Sequence, residues 1–191
     1  MSDLNIDKSK TALVVIDLQN GIVGMSKGMA KETADSVVSN SSKLADAFRK
    51  HHMPVFLVHV HASKDTALKP LADNSMQMGT PPADWADIIP EMGPKENDVV
   101  ILKQQWGAFY GTELELQLRR RKVDTIVLCG TSTNIGVEST ARFAFEYGYQ
   151  QIFAEDAMMA FSTEEHDNSI NHILKRIGRV RKTSEIVEAL K

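Results

Sequence analysis

The chain has 191 residues, 42% of them hydrophobic and 25% charged, with a formal net charge of −3; this is the composition of a chain able to bury an ordinary core. A single cysteine, Cys129, excludes an internal disulfide framework and a multi-cysteine zinc site. No run reaches the roughly 18 apolar residues of a membrane span, and the one dense basic cluster, Arg119, Arg120, Arg121 and Lys122, lacks interleaved aromatics for stacking bases, so neither a membrane nor a nucleic-acid partner is expected.

In chain order, residues 1–10 (MSDLNIDKSK) show neither the apolar core nor the cleavage site of a secretory signal, and a cytoplasmic location is expected. The length fits one domain spanning 1–191. An apolar run at 12–16 reads as a strand, and Val37, Leu44, Ala45 and Phe48 fall at helical spacing after it. Pro54 stops that helix before a second strand at 55–60. The stretch 62–94 holds Pro70, Pro81, Pro82, Pro90 and Pro94, too broken for a long helix, and reads as an excursion able to cover a pocket.

A third strand is predicted at 99–102, a helix around Leu114 and Leu118 with the basic cluster at its end, and a fourth strand at 125–129. Val137, Ala141, Ala144 and Phe145 mark the next helix, Gly148 ends it, and strands follow at 151–154 and, after Gly178, at 179–181. Between those two strands a helix containing His166 is capped by Ser162 or Thr163. The first four strands are continuously apolar, as strands buried on both faces are. Alternating strands and helices predict an α/β fold: a three-layer α/β/α sandwich around a central, mostly parallel, Rossmann-like sheet of about six strands.

In open parallel sheets ligands sit beyond the carboxyl ends of the strands. Three strand ends stand out: Asp17 in VVIDLQN, Lys103 in VVILKQQWGAF, and the loop 130–136, GTSTNIG. Each has a bland explanation, as a turn cap, a surface lysine and an ordinary capped loop. Together they would set a carboxylate, an ammonium and helix-start N–H groups in one crevice, suited to proton transfer and to a developing negative charge. A neighbouring ammonium lowers a carboxyl pKa whereas burial raises it, and the residues alone leave the balance open. His59 and His61 share a strand face, but no third ligand has suitable spacing, so no metal is expected.

Three ordered segments, ALVVIDLQN (12–20), ILKQQWGAFYGTELELQLRRRKVDTIVLCG (101–130) and TSTNIGVESTARFAFEYGYQQIFAEDA (131–157), resemble the successive motifs of the isochorismatase-like cysteine hydrolases. The resemblance implies a triad of Asp, Lys and Cys, with Asp17 and Lys103 matching and the cysteine position occupied by Gly136, where no acyl-enzyme can form. It also implies a cis peptide between Thr131 and Ser132, with the N–H groups of Ser132 and Gly136 turned to the pocket. Trp106, Phe109 and Tyr110 would wall that pocket, with Gln19, Ile22, Ser132 and Ile135 also lining it, although simple loop packing explains the aromatics too. Cys129 lies within a strand and reads as a small buried hydrophobe rather than a replacement nucleophile.

A glycine at this position is similar to the isochorismatases proper, which split a vinyl ether without a covalent intermediate; yet TSTNIGVESTAR looks like the amide-hydrolase branch with Cys replaced by Gly. The resemblance therefore implies a cofactor-free hydrolase acting on a small carboxylated substrate, with Asp17 as general acid and Lys103 orienting it and binding a substrate carboxylate. A ligand-binding pseudoenzyme and an amidase that has lost its nucleophile are the alternatives. The resemblance further implies a homodimer or homotetramer.

Overall fold

The computed structural model describes residues 4–61, 67–68, 70–74 and 80–191. Six strands form one sheet: β1 (Thr11–Ile16), β2 (Val55–Val60), β3 (Val99–Lys103), β4 (Thr125–Thr131), β5 (Gln150–Met159) and β6 (Arg179–Arg181). Their spatial order is β3-β2-β1-β4-β5-β6 and every pairing is parallel. The order reverses between β1 and β4, and the crevice at that reversal is where such sheets receive ligands.

β1 shows why the sheet lies in the middle. All six of its residues are buried, and they alternate between two cores: Leu13 and Val15 pack with Val37, Leu44, Ala45 and Phe48 of α1 (Asn20–Lys50) and with Ile186 of α6 (Thr183–Ala189). Ala12, Val14 and Ile16 face Leu114 and Leu118 of α2 (Leu114–Arg120) and Ala141 and Ala144 of α3 (Glu138–Glu146). Residues two apart on a strand share a face, so an unbroken apolar run feeds both layers. Each fully buried leucine contributes roughly 1.5–3 kcal/mol of transfer free energy to that arrangement. The layers are completed by α4 (Thr163–Asn168), a π-helical segment (Ser169–Leu174) and α5 (Lys175–Ile177).

Several boundaries differ from those predicted. α1 begins at Asn20, so Ile22 lies in its first turn rather than in a loop, and the helix kinks at Ala30 (φ −150°, ψ 76°). β5 runs on to Met159: its pairing with β4 steps from Leu128 with Phe153 to Gly130 with Met158, and the polar pair Glu155 and Asp156 occupies the irregularity. Those carboxylates hold Lys182 and the start of α6, where Asp156 accepts from the Thr183 amide. Phe145, expected on the inner face of α3, is exposed. Ser162 caps α4 and forms the reciprocal capping box with Glu165.

The excursion after β2 returns along the start of α1: the amides of Asn20 and Gly21 donate to Asp87 and Trp85 carbonyls, and the Ile89 amide donates to Leu18. A side chain at Gly21 would overlap the Trp85 indole, which seats this stretch on the first turn of α1. Residues 62–66, 69 and 75–79 of the excursion lie outside the described residues, and with them much of the expected pocket cover.

Candidate active site

Asp17 follows the last residue of β1 and adopts a left-handed conformation (φ 53°), which aspartate tolerates better than most residues. Its amide still pairs with the Val58 carbonyl of β2, so the carboxyl is turned off the strand end while the backbone stays in the sheet. Lys103 closes β3, two strands away, and its Nζ lies 2.8 Å from Asp17 Oδ2. Both residues are almost fully buried, at 4% and 2% exposure.

The ammonium has three protons and three acceptors: Asp17 Oδ2, the Gln105 carbonyl at 3.1 Å and the Trp106 carbonyl at 2.9 Å. All three protons are thus engaged within the protein, and the ammonium holds Asp17 Oδ2 in place. The other carboxyl oxygen, Oδ1, is buried with no hydrogen-bond partner among the described residues. Burial pushes the Asp17 carboxyl up to about 6, and the Lys103 charge and hydrogen bond, with a smaller effect from His59, only moderate that rise. Desolvation wins the contest between burial and the ammonium. In the protonated form the proton belongs on Oδ1, because Oδ2 is the oxygen accepting from Lys103.

Position 136 comes to the same point. A Cβ built on Gly136 would lie 3.0 Å from Asp17 Oδ2 and 3.6 Å from Lys103 Nζ. Gly136 belongs to a π-helical turn, Thr133–Val137, that leads from β4 into α3, and the peptide between Thr131 and Ser132 is cis. The Ser132 carbonyl accepts from the amides of both Ile135 and Val137. Thr140 Oγ1 donates to the Gly136 carbonyl at 2.7 Å and accepts from the Ala108 amide at 3.0 Å, tying the turn to the loop that Lys103 grips.

The structure thus brings Asp17, Lys103 and Gly136 together, with Ser132 and Ile135 on the adjoining turn. Gln19 is elsewhere engaged: its Oε1 accepts from the Val60 amide at 2.7 Å, and its Nε2 donates to the Val60 and Trp85 carbonyls. It frames the crevice instead of facing a ligand. Phe109, expected in the pocket wall, is 5% exposed and packs against the rings of Tyr147 and Tyr149. Trp106 and Tyr110 stand out from the same loop at 65% and 57% exposure. His59 Nδ1 lies 2.8 Å from the Ala86 carbonyl, and among the described residues no group of three or more His, Cys, Asp or Glu could hold a metal ion.

The family model of the isochorismatase domain matches residues 11–185. The chain belongs to the isochorismatase family. An uncharacterised isochorismatase family protein of Bacillus subtilis (strain 168), YwoC, is 53% identical with 100% of both chains covered. YecD of Escherichia coli O157:H7, another uncharacterised member, is also 53% identical, over 98% of this chain and 100% of its own. An isochorismatase family protein from Burkholderia thailandensis has a solved structure that superposes with a TM-score of 0.91 at 39% identity, covering 99% of each chain.

In this isochorismatase-family chain Cys129 is wholly buried on β4, with its thiol pushed up to about 12 by burial, which removes it as a nucleophile. Two residues inside the segments singled out above have roles that the sequence did not reveal. Gly130 has φ 111°, and a side chain there would overlap the Ile16 carbonyl oxygen; its place directly after an apolar strand was the available signal. Thr140 carried no signal, since its role depends on a contact 32 residues away. No helix among the described residues is long and apolar enough to cross a membrane.

Proposed function

We propose that this isochorismatase-family chain is a hydrolase that works without a covalent thiol intermediate, on a small carboxylated substrate such as a vinyl ether that releases pyruvate. The observation that carries the reading is the 3.0 Å separation between a Cβ at position 136 and Asp17 Oδ2. A nucleophilic cysteine at that point would abut its acid and base partner; glycine leaves the partner and removes the sulfur.

Asp17 supplies what an enol ether needs. Burial holds its carboxyl up at about 6, nearer neutral pH than an ordinary carboxyl, as a general acid that is re-protonated each turnover requires. Oδ1 donates the proton to the terminal methylene carbon of the enol ether, leaving an oxocarbenium ion. Water adds to that cation and returns a proton to Asp17, and the hemiketal collapses to pyruvate and the ring alcohol. One water is consumed and no other reactant is needed. Lys103 keeps Asp17 in place, and the carboxylate left on Asp17 after proton transfer faces the cation.

Incubating the protein with isochorismate and following pyruvate through lactate dehydrogenase and NADH tests this directly. The wild type should release pyruvate and Asp17→Asn should lose at least about 100-fold of the rate, the scale of a missing general acid. Absence of pyruvate at high enzyme concentration removes the vinyl-ether assignment. A ligand-binding protein without turnover is the second reading, favoured by the near-complete burial of both charged groups. Saturable thermal shifts with carboxylates and amides, and no product from any, would establish it.

A further inference from the structure

His166 and Ser169 are one helical turn apart and leave α4 and the π segment after it on a common face. Each grips the wall of the crevice. His166 Nδ1 lies 2.9 Å from Thr133 Oγ1, and Ser169 Oγ donates to Glu138 Oε2 at 2.6 Å. Thr133 and Ser169 are both fully buried. Thr133 and Glu138 are five residues apart, the span of one π turn, and they bracket the turn that holds Gly136. The turn's own backbone carries two spacings at once: Ser132 O receives amides three and five residues on, and the Glu138 amide reaches the carbonyls of Ile135 and Thr133, three and five residues back, so side-chain contacts at its two ends can favour the wider one.

We propose that His166 and Ser169 form a two-point clamp that fixes the pitch of the Thr133–Val137 turn and so holds position 136 against Asp17. Both are positioning residues; neither touches the reacting atoms. The proposal rests on reading Asp17 and position 136 as the reaction centre. Burial lowers the His166 pKa, which favours a neutral ring whose Nδ1 accepts from the threonine hydroxyl. Released from the clamp, the turn relaxes toward ordinary α-helical spacing and carries position 136 away from the carboxyl. Displacements of about 1 Å at such points cost on the order of 100-fold in rate. His166 also lines an open cleft of about 550 Å³ between α1 and the end of β5, so its ring can be replaced without opening the core.

The test uses a probe independent of substrate. Gly136→Cys places a thiol at the point in question, and the native Cys129 is silent because it is buried with its pKa pushed up to about 12. Iodoacetamide alkylation of the full chain is followed by mass spectrometry from acid to alkaline pH. Adding His166→Ala or Ser169→Ala should change the alkylation rate about tenfold or more, or move its pH midpoint by about half a unit or more. His166→Asn, whose amide takes the place of Nδ1, should stay within about twofold of the parent. Folded alanine variants, by circular dichroism, that keep the parent's rate and midpoint would overturn the clamp, whatever their melting temperatures. If His166→Ala does not fold, Thr133→Val against Thr133→Ser poses the same question, with the same two outcomes. Asp17→Asn in the Gly136→Cys background separates the underlying reading: a thiol indifferent to Asp17 refutes the reaction centre, whereas one that responds to Asp17 but not to His166 or Ser169 refutes only the clamp.

Discussion

At the scale of single residues the site is a balance of desolvation against one ammonium. Asp17 is buried enough for its carboxyl to stand at about 6 despite Lys103, so the direction of the pH profile reports its role. Acting as an acid, Asp17 makes kcat/KM fall as pH rises through about 6; acting as a base toward water or a thiol, it makes the rate rise over the same range. A falling limb is expected, measured as pyruvate release between pH 4.5 and 8. Lys103→Met removes the influence that lowers the carboxyl pKa, so in that variant the same limb should move to higher pH. A limb that stays in place would mean that another group governs the profile.

At the scale of elements, strands were legible because burial on both faces leaves an unmistakable run of apolar residues. The second strand, 55–60, has the predicted bounds; so does the sixth, 179–181, although it is only half-buried and was marked by Gly178 before it. β5 was read as ending at 154 because Glu155 and Asp156 interrupt its apolar pattern, and they do so to reach Lys182 and Thr183 in the next elements. Phe145 misled for a different reason: helical spacing marks a stripe, and it lies beyond the edge of the buried one. Two substitutions probe local backbone geometry. Gly130→Ala forces a side chain into the Ile16 carbonyl and should cost about 3 kcal/mol or more, or prevent folding. Lys122, at φ 58° in the exposed turn between α2 and β4, is the reverse case: Lys122→Gly should stabilise by roughly 0.5–1 kcal/mol, read from urea midpoints.

For the whole molecule, an acid held above its ordinary pKa opposes folding at neutral pH. The unfolded carboxyl titrates near 3.8 and the folded one at about 6; the folded state therefore binds the proton more tightly. The stabilisation from that proton is complete below 3.8 and is lost as pH rises through about 6, amounting to up to about 3 kcal/mol. Urea unfolding across this range, wild type minus Asp17→Asn, should show that loss, and a flat difference would contradict the burial argument. The same long-range character limited what could be read beforehand. Asp17 and Lys103 stood out because strand ends converge in a parallel sheet and Gly136 through the motif resemblance, whereas the hold of His166 on Thr133 spans 33 residues and leaves no local pattern. Gln19 was assigned to the pocket for its place just after Asp17 and Phe109 by resemblance; Gln19 hydrogen-bonds the Val60 backbone and Phe109 packs on the Tyr147 ring, contacts that no local pattern announces.

The contacts around Gly136 have a bearing on how such a protein changes over generations. The atoms nearest an added Cβ, Asp17 Oδ2 and Ile16 Cγ2, are side-chain rather than backbone atoms, each at 3.0 Å, so a residue at 136 requires them to give by a few tenths of an ångström. Glycine and cysteine codons differ by one base, so on the proposed reading a lineage with this scaffold gains or loses a thiol beside Asp17 and Lys103 in a single mutational step.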